Sequence, residues 1–343
     1  MNRAAPAPSV RRRQLFITAF VVAAAFLFVW SVHSAGAAAV VDAVRQVGLW
    51  FGVVVLLGGV RYLARAAAWR LCLERRSALP LSSAFAATVA GNAIGNVSAL
   101  GALAGEPSKV LLLYAGPSTL EAGAALAVEN LCYISSVFVA VAAGAALLPV
   151  AFGPSVLVMG IVAATIAGGL AAIGLAAAVL LRRVRIVSGL AQRLAASRWL
   201  GRRFVRRLPQ LYTIESKVFG GLQTVRRRLL PIATLEASFH AAAVAEIAIV
   251  VAAMIGTRPP IVIAVILEMV NRITTVAFQF VPLWLGVDEA LSGTAAQLLR
   301  VGAPIGVGLA VVRKGRILCW TAIGLSIAAV RGRSMPEAHH EQV

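Results

Sequence analysis

The stretch Asn92–Lys109, NAIGNVSALGALAGEPSK, decides how this chain is read. Long apolar runs lie on both sides of it, yet it holds two asparagines, three glycines, a Gly-Glu-Pro step and a lysine. A lipid-facing helix has no use for these groups, because every unsatisfied polar group in hydrocarbon carries a heavy desolvation cost. The stretch is expected to be buried in protein or to line water.

Composition sets the surroundings. Of 343 residues, 60% are hydrophobic and 13% charged, and the mean hydropathy is +0.88; soluble domains are nearer ~45–50% apolar. The apolar runs are continuous and rich in Ala, Leu and Val, with no alternation of polar and apolar positions, which predicts spanning helices and not a barrel. The expected fold is all-α, a polytopic integral membrane protein with about six full spans and two re-entrant or broken helical hairpins.

The net charge of +19 is unevenly spread. Between Arg182 and Arg228 there are thirteen Lys or Arg against the single Glu215, so this loop alone carries +12. Basic residues gathered beside spans follow the positive-inside rule and attract anionic lipids of the inner leaflet. No nucleic-acid motif accompanies them, so nucleic acid is not an expected partner. Cys72, Cys132 and Cys319 are isolated and the four histidines scattered, so no metal role is read from them.

In chain order, residues 1–14 form a basic cytoplasmic N-terminus ending in Arg11-Arg12-Arg13, and Leu15 to about Val32 reads as an uncleaved signal-anchor. Cleavage near Ser34–Ala37 is the alternative. A second span, about Val47 to Trp69, carries Arg61 and Arg65 one turn apart; these either snorkel to headgroups or bind lipid phosphate. Leu81–Leu100 is dense in small residues that allow close packing. After a corner at Gly101–Pro107 comes a short amphipathic piece, Ser108–Ala115, too short to cross the bilayer, so the pair reads as a hairpin returning to its own side. Thr119–Leu148 and Ser155–Leu181 complete a first transmembrane half, residues 15–181. The basic loop, 182–228, is amphipathic in places such as Ile186–Leu200 and is expected on the inner surface. The second half, 229–330, holds Leu229–Met254, Ile261–Phe280, a corner at Val281–Glu289, a short helix to Val301 and a span Pro304–Val330. Residues 331–343 form a polar cytoplasmic tail.

The halves share an order of parts: a span, a small-residue or polar segment, a corner with Gly and Glu, a short helix, a Gly-Pro or Gly-x-Pro break and a long span. Aligning the corners pairs Leu100 with Leu283 and Glu106 with Glu289. With the basic loop inside, the first hairpin enters from the cytoplasm and the second from outside. An inverted internal repeat is expected, and paired broken elements in inverted halves point to a transporter's midplane site.

Charged residues inside spans cost at least ~2.5–3.5 kcal/mol on insertion scales, so they pair or line a wet cavity. Here they include Glu106, Glu129, Glu236, Glu246, Glu268, Arg272, Asp288, Glu289 and Arg313. Glu268 and Arg272 stand four apart, the favoured order for an ion pair. Each corner offers glycine for the turn, a Glu near a helix start and a cation, Lys109 or Arg313. A half-helix N-terminus attracts a phosphate, and a carboxylate beside it binds an ammonium or carries a proton. The bland alternative is that Gly-Glu-Pro merely caps a short helix. The candidate substrate-binding residues are Asn92, Asn96, Glu106, Lys109, Glu129, Asn130, Glu246, Glu268, Arg272, Asp288, Glu289 and Arg313. No catalytic, nucleotide or metal motif stands out, and no cofactor is implied.

At the corners the sequence resembles a known family. Asn96-Val97-Ser98-Ala99-Leu100-Gly101, Gly105-Glu106-Pro107-Ser108-Lys109 and Val128-Glu129-Asn130 resemble the first signature of the flippase-like family typified by the lysylphosphatidylglycerol synthase transmembrane domain. Val281-Pro282, Gly286, Asp288-Glu289, Gly302, Arg313 and Trp320 resemble the second. The resemblance implies a bacterial inner-membrane protein, both termini cytoplasmic, that translocates a phospholipid, an aminoacyl-phospholipid or a hopanoid or polyprenyl lipid. Ala99, where relatives often have proline, and Lys109, where many have arginine, depart from the pattern and leave the lipid open. The chain stops thirteen residues after Val330, so the synthases' aminoacyl-transferase domain, and with it lysyl transfer, is not expected. The alternative reading is a membrane-embedded lipid-modifying enzyme or a non-catalytic accessory subunit of one. Membrane lipids are the expected partners; a homo-oligomer and a lipid-synthesis enzyme partner are both compatible with the sequence.

Overall fold

The computed structural model describes residues 29–74, 79–98, 101–113, 116–181, 208–279 and 281–333. Most of Leu15–Val32, the segment Ile186–Leu200 and the tail beyond 333 lie outside them. The described residues form twelve helices and no strand: α1 Ala37–Val47, α2 Trp50–Cys72, α3 Leu81–Val97, α4 Ala102–Leu111, α5 Thr119–Ala146, α6 Leu148–Phe152, α7 Val156–Leu181, α8 Leu208–Arg227, α9 Leu229–Ile255, α10 Ile261–Ala277, α11 Val287–Leu298 and α12 Ala303–Arg333. Among them, four stretches are long and apolar enough to cross a membrane: α2, the continuous run Thr119–Phe152, Val156–Leu175 of α7, and α9. Helix α12, at 31 residues, is also long enough to cross, but Arg313, Lys314 and Arg316 stand inside it. All three are buried, so it meets the bilayer problem by turning its charges inward.

The first corner differs from expectation. Helix α4 begins at Ala102 and runs straight through Gly105-Glu106-Pro107, so Gly-Glu-Pro is neither a turn nor a cap. The chain turns at Ser98–Gly101, where Gly101 takes φ +52°, a conformation that side chains resist. Pro107 removes the N–H that would bond the Leu103 carbonyl but leaves the helix intact. Helix α4 has ten residues, about 15 Å and roughly half the hydrocarbon thickness, so the α3–α4 hairpin returns to the side it left. Its two arms touch backbone to backbone: a methyl group on Gly91 would fall 2.9 Å from the Gly105 carbonyl, and one on Gly105 would meet the Gly91 carbonyl at 2.9 Å.

The second hairpin, α10–α11, turns through Val281–Gly286. Leu283 and Trp284 hold φ of 53° and 50° there, a region bulky residues enter only under constraint. The 12 residues of α11 give about 18 Å, again too short to cross.

Helix α12 works as a ruler for both hairpins. From its start, Gly306 lies against Ser292 of α11, Arg313 reaches Asp288 at the tip of the second hairpin, Thr321 meets Asn96 at the tip of the first, and Arg331 donates to the Leu112 carbonyl at its base. The second hairpin covers one half of α12 and the first covers the other, tip toward tip. Between Arg313 and Thr321 the helix rises only about 12 Å, and Gly101 of one tip sits against the Gln279 carbonyl of the other. The opposed orientation expected from charge counting is therefore present in the packing.

One face of the molecule gathers cations. Lys217 of α8 pairs with Glu121 at the start of α5, and Arg228 donates to the carbonyls of Leu71, Leu73 and Glu74 at the end of α2. Arg70 donates to Leu79 beside the base of the first hairpin. These groups sit at the Arg331 end of α12.

Candidate functional site

In the first hairpin, Lys109 Nζ lies 2.6 Å from Glu106 Oε1. Asn130 of α5 donates to Glu106 Oε2 at 2.8 Å. The Asn130 oxygen accepts from Arg65 Nη2 of α2 at 2.9 Å, and Arg65 grips Glu129 through both Nε and Nη2. Lys109 is 2% exposed and Glu129 1%, whereas the Glu106 side chain is 31% exposed. Glu106 is thus the carboxylate of this network that reaches its rim.

The second hairpin repeats the chemistry with more charge. Asp288 accepts from Arg313 at 2.7 Å and from Lys314 at 3.3 Å, while Lys314 Nζ also lies 2.8 Å from Glu289 Oε1. Ser292 donates to Asp288 at 3.2 Å. Glu289 Oε2 accepts the Gly286 N–H at 2.8 Å, so at this corner a glutamate does cap the helix start while holding a cation.

Between the two lies a third group built on Tyr133, Phe239 and Glu246. Glu246 of α9 accepts from Arg61 of α2 at 3.1 Å and from Arg316 of α12 at 2.8 Å. Glu268 is bonded by Arg272 and, at 2.9 Å, by Asn271. Arg272 also donates to the Tyr133 hydroxyl at 3.1 Å, and Arg65 stacks 3.8 Å from the Tyr133 ring centroid. Ser136 donates toward Glu236 at 3.2 Å and lies 3.0 Å from His240 Nε2. Among the described residues, Glu236 makes no ion pair, although it is buried.

Of the sequence candidates, Glu106, Lys109, Glu129 and Asn130 meet in one network. Asp288, Glu289 and Arg313 meet in another, and Glu246, Glu268 and Arg272 stand in the group between. Asn96 holds the first tip to α12, and Asn92 is half-buried one turn earlier on α3. Several members were not among the candidates: Arg61, Arg65, Tyr133, Ser136, Glu236, His240, Lys314 and Arg316. Arg61 and Arg65 do not snorkel; both are largely buried and paired to other helices. The signal that could have found them is their i, i+4 spacing inside an apolar run with no acid on the same helix, which requires partners elsewhere. His240, set aside with the scattered histidines, lies beside Phe239 and Ser136.

Short hairpins meeting inside a helical bundle, with ion-paired charges where lipid-facing helices tolerate none, define a polytopic membrane protein with a polar interior. The chain belongs to the family described as lysylphosphatidylglycerol synthase TM region, whose family model matches residues 16–325. Membership places its function with membrane lipids. No curated protein and no solved structure matches the chain.

Proposed function

We propose that the protein is a lipid translocase. It moves a phospholipid, aminoacyl-phospholipid or hopanoid or polyprenyl lipid between leaflets of a bacterial inner membrane, with both termini in the cytoplasm, and does no covalent chemistry of its own. The observation that supports this reading is the pair of opposed hairpins, each carrying an acid–cation pair within the bundle, Glu106–Lys109 and Asp288–Arg313. A lipid headgroup crossing the bilayer must exchange water for other polar partners at every depth. Carboxylates supply sites for an ammonium, and arginine and lysine supply sites for a phosphate. Helix ends inside the membrane allow such groups to stand at mid-depth on backbone whose hydrogen bonds are satisfied within protein. The basic segment around 182–228 holds anionic lipids at the cytoplasmic surface in this scheme, and a lipid-synthesis enzyme is a compatible partner there.

The test is reconstitution into liposomes with headgroup-labelled lipids of several classes, followed by quenching of the outer leaflet. Exchange faster than in protein-free vesicles for at least one class is expected. Exchange no faster for any class would abandon the translocase reading in favour of a membrane-embedded enzyme or accessory subunit.

A further inference from the structure

Two arginines from different helices meet at one aromatic ring. The guanidinium of Arg61 lies 4.7 Å from the Phe239 centroid and that of Arg272 5.2 Å from it. Like charges held together away from water repel, and the ring's attraction for each cation offsets only part of this. Their ion pairs are unequal. Arg65 is matched by Glu129 and Arg272 by Glu268, but Arg61 and Arg316 share the single Glu246, while the fourth carboxylate of the group, Glu236, pairs with no cation among the described residues.

The same ring is bordered by polar atoms without partners. Arg61 Nε, Arg272 Nη2 and His240 Nδ1 are buried and bonded to nothing in the protein, and the His240 ring stands 5.2 Å from Phe239, edge to face. The Arg272 side chain is only 4% exposed. Arg61 Nε and Arg272 Nη2 are donors in any state, and His240 Nδ1 is a third donor in the tautomer whose Nε2 accepts the Ser136 proton, 3.0 Å away, in place of Glu236. Leaving a buried donor unbonded is costly. Three of them at one ring, two on guanidinium groups, suit a small anion with several acceptor oxygens.

We propose that Arg61, Arg272 and His240 bind the monoanionic phosphodiester of a phospholipid headgroup. Its two non-bridging oxygens accept from two guanidinium groups and an imidazole, and its negative charge faces Arg61, which shares its carboxylate with Arg316. Charge-assisted hydrogen bonds of this kind are strongest where water is excluded. The assignment rests on the translocase reading and deepens it, naming the part of the lipid held between the two hairpin sites. Free phosphate offers the same oxygens, so the experiment must separate the two sources.

The full-length protein in an uncharged detergent is titrated with dihexanoyl phosphatidylglycerol, with sodium phosphate and with dihexanoylglycerol, and binding is read by calorimetry. Phosphatidylglycerol is expected to bind, dihexanoylglycerol not to bind, and phosphate not to compete. In the double variant Arg61→Lys/Arg272→Lys each lysine still faces its glutamate but lacks the second N–H, so the affinity falls at least about tenfold while the ligand-free unfolding temperature is kept. Should that variant misfold, His240→Asn serves instead and lowers affinity in the same direction, while Arg258→Gln, exposed in the connection between α9 and α10, leaves it unchanged. Equal affinity in wild type and variants overturns the site, and competition by phosphate at equal affinity overturns the lipid assignment. Binding lost in the variant, with no leaflet exchange by wild type, upholds the site and fails the translocase reading. Exchange by wild type with binding unchanged in the variant does the reverse.

Discussion

Gly101, at the tip of the first hairpin, sits against the backbone carbonyl of Gln279, at the tip of the second, so closely that a methyl group on Gly101 would stand 3.1 Å from that oxygen. Gly101 also has φ +52° and ψ −127°, a combination open to glycine alone at ordinary cost. Gly101→Ala is therefore expected to destabilise by about 1–3 kcal/mol and to slow leaflet exchange further than its unfolding temperature would suggest, since it pushes the tips apart. Tryptophan-monitored unfolding and liposome exchange on the same preparation check this. Wild-type exchange in the variant would remove the tip contact from the mechanism.

Glu246 and Glu236 stand ten residues apart on α9 and are both buried, yet they are expected to respond in opposite ways. Glu246→Gln strips the shared carboxylate from Arg61 and Arg316, which costs about 3–5 kcal/mol for a buried pair broken on one side. Glu236→Gln breaks no ion pair and keeps an acceptor for Ser136, so its stability should stay within about 1 kcal/mol of wild type. Denaturant unfolding in detergent compares them. Equal losses would mean that Glu236 has a charged partner in solution.

Glu106→Gln and Asp288→Asn test the two hairpin pairs as equivalents. Each leaves a buried cation, Lys109 or Arg313, without its carboxylate. Both variants are expected to accumulate in the membrane and to reduce exchange by about tenfold or more, the loss of one charge-assisted contact. Unchanged exchange in Glu106→Gln, alone or with Asp288→Asn, would assign that pair to structure.

The bases of the hairpins should open on opposite sides of the membrane. In a protein whose three natural cysteines are replaced by serine, Pro117→Cys beyond the first hairpin and Arg300→Cys beyond the second are expected to react with a membrane-impermeant maleimide from opposite faces of oriented vesicles. The cations gathered near Arg228 and Arg331 predict that Pro117 lies on the cytoplasmic face. Labelling of both from one side would reverse the orientation of one hairpin.

Much of the architecture was legible in the residue order because its causes are local. Span lengths follow from runs of apolar residues, and the interruptions from glycine near positions 101 and 286. The sequence failed at Gly105-Glu106-Pro107, where two usual helix breakers sit inside α4. The break there is decided by Gly101, whose backbone must turn against the other hairpin, and no composition rule separates that glycine from Gly105. The ion pairs divide the same way. Glu268 and Arg272 could be matched by spacing on one helix, whereas Arg65 finds Glu129 across 64 positions and Arg61 finds Glu246 across 185. By itself the sequence determined that charges within spans had to be compensated, since hydrocarbon provides no counter-ion; only the tertiary structure decided which helix supplies each partner, because that choice depends on packing between segments that are remote along the chain.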